Sequence, residues 1–229
     1  MKVISFSLFG TDPIYTQGAL RNFELARTIY PGWECVFYVP TTFRSEQKKE
    51  LMRLGVHIRH GSVKNEMFWR FEIADDSSVE RFIVRDCDSR LSEREAHAVQ
   101  AWEESGLPFH SMRDHPHHTL PLGGGLWGAT GGAIKGMRDM IVASGLANTP
   151  YERQTQYGSD QTFLSRYVWP IAKRSCLEHD SCNRRIYPSG LPFPDGCRFG
   201  QDRFVGEVFD ANDQPHPIQW QQRINHMTP

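Results

Sequence analysis

The stretch Phe82-Ile83-Val84-Arg85-Asp86-Cys87-Asp88-Ser89-Arg90 decides how this chain is read. An apolar, β-branched run ends abruptly in two carboxylates at i and i+2. Successive side chains on a strand point to opposite faces, so this spacing sets both carboxylates on one face. Two like charges at the end of a buried strand repel each other unless a divalent cation lies between them and a phosphate. In open α/β sheets, ligands bind outside the carboxyl ends of the strands. The segment therefore predicts a metal-assisted nucleotide site. The same residues are also turn chemistry, because Asp and Ser bond their own backbone and end strands. The next residues favour a site: Ser92-Glu93-Arg94-Glu95 has the capping-box pattern that opens a helix, so the unit reads strand, acidic turn, helix.

Composition bounds the rest. The chain has 229 residues, 39% of them apolar and 12% aromatic, enough to fill the core of one large α/β domain. A formal net charge of -1 gives no electrostatic ground for a nucleic-acid footprint. No run of about 18 apolar residues predicts a membrane span. The segment MKVISFSLFG reads as a first strand, not as a signal peptide. Five cysteines, an odd number, argue against a secreted disulfide scaffold and predict a cytoplasmic protein.

Periodicity predicts strands at Val3–Leu8, Cys35–Val39, Val56–Ile58 and Arg81–Arg85, and helices at Gln17–Tyr30, Ser45–Leu54, Met67–Ile73 and Ser92–Ser105. This alternation gives an α/β fold with a mainly parallel sheet and helices on both faces. The second half holds Gly123-Gly124-Gly125 and most of the prolines. Helices are predicted there at Ala133–Ser144 and Asp160–Val168, with only short elements after Pro170 and a loose tail after Asp210 that could fold over the site. The organisation reads as one domain over 1–229, with a nucleotide-binding half at 1–110, a donor-sugar and acceptor half at 111–210, and a tail at 211–229.

The phrases Ile4-Ser5-Phe6-Ser7-Leu8, Tyr30-Pro31-Gly32-Trp33, Phe68-Trp69-Arg70-Phe71, Arg85-Asp86-Cys87-Asp88-Ser89-Arg90 and Met112-Arg113-Asp114-His115-Pro116 resemble GT-A-fold, Asp-x-Asp-type glycosyltransferases, and within them a group of bacterial and viral glycosyltransferase-like proteins. The likeness covers most of residues 1–185. It implies a GT-A-like (Rossmann-like) fold, a nucleotide diphosphate-sugar donor, a UDP-sugar first among these, and Mn²⁺ or Mg²⁺. It also implies Asp88 as the metal ligand and Asp86 as the ribose or second metal contact. The loop from Phe9 through Gly10 and Thr11 to Tyr15 would hold base and ribose. A late His usually adds a metal ligand in such enzymes. The usual His-Phe-x-Gly phrase is missing here, so His179 is the first candidate and His226 the second. The glycine-rich dinucleotide fingerprint is absent, which argues against a dehydrogenase.

Other residues are also candidates for chemistry. Tyr157-Gly158-Ser159-Asp160-Gln161 opens a helix, where Ser159 or Asp160 could simply cap it. The phrase also resembles the Gly-Asp-Gln of glycogenin-like retaining transferases, which implies that Asp160 and Gln161 face the donor sugar. Gly124 and Gly125 let backbone approach a ligand, or form a linker, and Trp127 beside them suits a wall for a sugar ring. Arg70 and Arg85 could bind a diphosphate bidentately, and so could Arg90; ion pairs with Asp86 or Asp88 are the alternative. Arg113 and Asp114, at a strand end, could hold donor sugar or diphosphate. The cluster His110, Asp114, His115, His117 and His118 lacks the helical spacing of a zinc pair. Cys176, His179, Cys182 and Cys197 could bind zinc or be buried thiols.

The chemistry predicted is glycosyl transfer to an acceptor left open: glycan, lipid-linked, protein or modified nucleobase. The alternatives are a metal-dependent phosphohydrolase or phosphotransferase, and a non-catalytic nucleotide-sugar-binding protein. Haloacid-dehalogenase-type enzymes carry Asp-x-Asp on the first strand, with Thr or Val two residues on. Here the motif follows several elements and continues Ser-Arg.

Overall fold

The computed structural model of the chain describes residues 1–43, 51–152, 157–195 and 203–217. Its centre is a seven-stranded sheet built from β1 (Lys2–Ser7), β2 (Trp33–Tyr38), β3 (His57–Arg59), β4 (Arg81–Arg85), β5 (Phe109–Arg113), β6 (Trp127–Thr130) and β7 (Cys176–Asp180). The order is β3-β2-β1-β4-β6-β5-β7. Neighbours pair in parallel except where β6 lies antiparallel to both β4 and β5. The sheet is thus mainly parallel, and the fold is α/β and Rossmann-like in its first half, as the sequence predicts.

Strand alternation sorts side chains into two cores. Val3, Phe82, Val84 and Trp127 face Phe68, Phe71 and Phe163 on one side. Ile4, Phe6, Phe37 and Ile83 face Ala19, Val99 and Trp102 on the other. The first face is covered by a 3₁₀ segment (Glu66–Asp75), α3 (Met137–Ser144) and α4 (Ser159–Phe163). α4 continues through a π-helical turn at Leu164–Val168 into α5 (Trp169–Ala172). The second face is covered by α1 (Pro13–Ile29) and α2 (Glu93–Ser105).

Several boundaries differ from the sequence reading for local reasons. α1 starts at Pro13, because Asp12 accepts the Ile14 N–H at 3.0 Å and Pro13 suits the first helical position. α3 starts at Met137, because Gly136 sits at φ 70° and Asp75 accepts the Met137 and Arg138 N–H groups, each at 2.8 Å. The Met67–Ile73 helix is 3₁₀, not α. The Ser45–Leu54 helix falls largely outside the described residues, of which 51–53 are helical. The capping box is half formed. Ser92 Oγ accepts from the Glu95 N–H at 3.3 Å, but the Glu95 carboxylate turns inward to Arg85 Nε and the Tyr30 hydroxyl, both at 2.9 Å.

β7 is a short element, as expected after Pro170, and it places three ionisable residues, Glu178, His179 and Asp180, in a row. All three are buried, and Arg113 on the neighbouring strand supplies the counter-charge to Glu178 and Asp180.

Candidate active site

β1 and β4 run in parallel register, Phe6 beside Arg85, so the residues that follow them emerge on one edge. Asp86 continues the face of Phe82 and Val84, and its side chain is 41% exposed. The turn it opens is fixed from below. Ser89 Oγ donates to Asp86 O at 3.0 Å, and Asn22 in α1 donates to Ser89 O at 2.9 Å while accepting the Leu91 N–H at 3.0 Å. A Cβ on Gly18, one helical turn before Asn22, would lie 1.9 Å from Cys87 O. That glycine lets the helix rest directly on the turn. Above, Phe209 N–H donates to Asp88 O at 2.8 Å and Ser89 bridges Val208, while Arg90 Nε meets Asp213 at 2.6 Å. Val208 and Phe209 precede the predicted tail, and Asp213 lies within it.

The register also explains the glycines. Val84 pairs Trp127 in the antiparallel β4–β6 ladder, and continuing that ladder brings Gly125 opposite Asp86. A Cβ on Gly125 would lie 2.1 Å from Asp86 Oδ2, and one on Gly124 would lie 2.4 Å from Asp160 Oδ2. Between these carboxylates sits Arg70, 5% exposed, whose Nη1 bonds Asp86 and whose Nη2 bonds Asp160 at 2.8 Å. Two serines on β1 hold the segment bearing it: Ser5 Oγ donates to Arg70 O at 2.8 Å, and Ser7 Oγ accepts the Arg70 N–H at 3.0 Å. Asp160 does not cap its helix, since the N-cap is Gly158 and no side chain caps that end. Its Oδ1, like Arg70 Nε, is buried with no partner among the described residues.

The electrostatics follow from this geometry. Burial, and next the charge of Asp86, push the Asp88 carboxyl up to about 7. Burial also raises Asp160, against the pull of Arg70. Burial alone would lower Arg70, but Asp86 and then Asp160 outweigh it and raise it. An acidic pair this short of counter-charge suits a divalent cation. Mg²⁺-type sites take one or two carboxylates, with substrate phosphate and water completing the shell. Asp86 and Asp88 fit that donor set. Among the described residues no group of three His, Cys, Asp or Glu side chains gathers to form an all-protein cage.

Phe9, Gly10 and Thr11 lie at the same edge, with Phe9 edge-on to Trp69 and Tyr151 at 6.5 and 5.6 Å. Tyr15 belongs to α1 and not to that loop. Gln161 follows Asp160 in the first turn of α4. Other residues expected at the site are elsewhere. Arg85 is one residue out of phase with Asp86, so it faces α2 and pairs with Glu95. Trp127 is fully buried between Phe71 and Phe82, which makes it core and not a sugar-facing wall. Arg113 is fully buried and taken up by Asp180, Glu178 and Pro121 O. Asp114 is clasped by Arg94, Ser181 and the Val205 N–H.

His179 is not brought to the acidic turn either. It sits on β7, its Nδ1 2.8 Å from His110 Nε2, and His110 stacks on Trp102. His226 and Cys197 lie outside the described residues. Cys176 and Cys182 are free thiols, as are Cys35 and Cys87. His115, His117 and His118 pack on one another, with His115 and His118 also against Phe204. Asn22, Gly18, Ser5 and Ser7 were missed. The one sequence signal for them was the Ser-x-Ser alternation on β1.

No family model matches the chain, and no curated protein matches it. Solved structures do resemble it. A glycosyltransferase involved in the glycosylation of the major capsid of PBCV-1 is 15% identical, with TM-score 0.43 over 82% of this chain and 86% of that one. A 4-diphosphocytidyl-2C-methyl-D-erythritol synthase from Anaerococcus prevotii is 12% identical, with TM-score 0.45 over 72% and 84%. A mannosyl-3-phosphoglycerate synthase from Rubrobacter xylanophilus is 11% identical, with TM-score 0.41 over 91% and 86%. At such scores these likenesses bear on no residue and no substrate. Among the described residues no helix is long and apolar enough to cross a membrane.

Proposed function

We propose that this protein is a glycosyltransferase that moves a sugar from a nucleotide diphosphate-sugar to an acceptor, with a divalent cation held by Asp88 and Asp86. One observation carries the reading. Arg70 ties together two carboxylates, 16 and 90 residues away in sequence, at the carboxyl edge of parallel strands, with Gly124 and Gly125 packed against them. Mn²⁺ or Mg²⁺, when bound, supplies positive charge to the departing diphosphate.

The chain's own residues do the rest. Gly124 and Gly125 let backbone lie directly against Asp160 and Asp86, because a Cβ at either position would overlap the carboxylate. Arg70 bonds Oδ2 of Asp160 and fixes the direction of the carboxyl, which leaves Oδ1 for a sugar hydroxyl or for the charge that develops at the reacting carbon. Gln161 stands beside it as a further polar contact to the sugar. Phe9, Gly10 and Thr11 border the place for base and ribose. The free described cysteines fit a reducing compartment, so we place the protein in the cytoplasm.

A thermal-shift panel of nucleoside diphosphates and their sugars, with and without Mn²⁺, tests this. A ligand at one hundred times its Kd stabilises the folded state by about 2.7 kcal/mol. The matching nucleotide should raise Tm only with metal, and Asp88→Asn should remove that rise while leaving the fold intact. Binding by Asp88→Asn as tight as the parent's would sink the assignment.

A further inference from the structure

The amino-terminal edge of the sheet carries a recess that the acidic turn does not use. Its volume is about 510 Å³, within the range of small-ligand sites. Lys2 opens β1 and Trp33 opens β2, so the recess lies at the end of the strands opposite Asp86. Six residues of strand separate the two edges by roughly 20 Å. Ile29 and Val99 form part of the apolar lining, and His97, Gln100 and Glu103 project from α2 as a polar rim. A second cavity of about 140 Å³ is lined by Trp33, Phe23 and His57. The half-buried indole of Trp33 thus stands between two hollows, braced edge-on by Tyr30 at 5.7 Å.

Charge on the rim is largely cancelled in place. Lys2 Nζ meets Glu103 at 2.7 Å, and Arg81 approaches the same carboxylate at 3.8 Å. His97 Nδ1 meets Asp195 at 2.8 Å and Gln100 Nε2 donates to Glu104 at 2.9 Å, so what remains for a ligand is the indole, the second imidazole nitrogen, the oxygen and second N–H of the Gln100 amide, and the Glu93 carboxylate. This set matches a neutral sugar. The C–H face of a pyranose gains dispersion contact on an indole, while its hydroxyls can both donate to a carboxylate and accept from an amide. An anionic ligand would meet Glu93 and Glu103 with the ammonium of Lys2 already engaged. A purely apolar segment would cover the rim amide and carboxylates without bonding them.

We propose that this recess is a second saccharide-binding site, which holds a neutral stretch of a glycan acceptor at a distance from the transfer site. The role of the ligand rests on the glycosyltransferase reading, but binding needs no turnover and no nucleotide. The test is calorimetric titration with a panel of soluble neutral oligosaccharides of glucose, mannose, galactose and N-acetylglucosamine, in the absence of metal. The parent and Asp88→Asn should bind the same member equally. Trp33→Ala should weaken that binding roughly tenfold or more, as loss of an aromatic anchor does, and the exposed Gln100→Ala should weaken it several-fold. Both variants should keep the Mn²⁺-dependent nucleotide response.

Gln100→Ala decides the matter if Trp33→Ala does not fold. The proposal is overturned if the parent binds no member of the panel at millimolar concentration, or if neither recess variant weakens binding. It is equally overturned if binding is lost in Asp88→Asn and kept in Trp33→Ala, because the sugar then sits at the transfer site. Failure of the glycosyltransferase reading would look different: oligosaccharide binding intact, and no nucleotide response in the parent.

Discussion

Two clusters of buried charge lie at the carboxyl edge of this sheet, and they differ in how completely they are satisfied. At the β5–β7 side, Arg113 spends every nitrogen on Asp180, Glu178, Ser111 and Pro121 O, and both oxygens of Asp180 and Glu178 are bonded in turn. Asp114 has both oxygens taken by Arg94, Ser181 and Val205. At the β1–β4 side, Arg70 bonds Asp86 and Asp160, yet its Nε and Asp160 Oδ1 are left over, and Asp88 is held up at about 7 by burial and Asp86. A closed network is architecture. An open one, with glycine backbone packed against its carboxylates, has valence left for a ligand. Sequence singles out both sets alike, since each contains an Arg and an Asp near a strand end.

The sharpest way to break this contrast is Arg113→Met. Removing one partner of a buried ion pair leaves the others uncompensated, at a cost of about 3–5 kcal/mol. Urea denaturation should show that loss, or the variant should fail to fold. A stable Arg113→Met protein that no longer binds nucleotide would return Arg113 to the donor site.

Asp160→Asn addresses the open side. If the carboxylate serves the transition state, kcat and kcat/KM should fall together by about 10²–10⁴-fold, with donor affinity and Tm little changed. Near-normal turnover in steady-state kinetics would make Asp160 a packing residue of Arg70 and leave the reacting carboxylate unidentified.

Gly18→Ala probes the support under the acidic turn. Alanine is the better helix former by about 1 kcal/mol, but its Cβ would overlap Cys87 O. The net effect should be a destabilisation of about 1–3 kcal/mol by overpacking, with weaker Mn²⁺-dependent nucleotide binding. A more stable variant with unchanged binding would show that the turn does not depend on α1.

The smallest effect is a pH dependence. Burial, then His179, hold His110 well below its ordinary value, and burial, then Arg94, lower His179 to about 4. Arg85 and Arg81 push His110 the same way. Both rings are neutral when folded, so the unfolded chain takes up protons first as pH falls. Their contribution is complete above the unfolded value near 6.5 and is lost as pH drops from there towards 4. Between pH 7 and 6 each ring should account for roughly 0.7 kcal/mol. Chemical denaturation across that window should show the decline, and Mn²⁺ should not alter it. A metal-dependent midpoint would bring His179 back as a ligand.

How much of this was legible depends on which partner a residue uses. β4 was read to the residue, because Phe82-Ile83-Val84 is strongly β-forming and the acidic turn ends it. Asp86, Gly124, Gly125, Arg70 and Asp160 were each marked by residue type, although nothing in the sequence joins them. Arg85 was misplaced through strand parity alone. Trp127 beside glycines looked like a ligand wall, yet it pairs with Val84 and must point into the core. β7 was legible only as a short element of unstated type, because its charges are neutralised by a strand far upstream. Gly18 and Asn22 were invisible because what they recognise is the backbone of a turn, and backbone carbonyls leave no mark in a sequence.

The contact of Phe209 with Asp88, and of Asp213 with Arg90, has a consequence for the order of synthesis. The strands that carry the acidic turn are made early, while the segment that seats it is made more than a hundred residues later. During translation the first half can pair β1, β2 and β4 and yet present Asp88 on an unfinished loop. The acidic turn then reaches its final form only once these later residues have emerged. A nascent chain arrested short of Val208 would pair its first strands and still leave the acidic turn unseated.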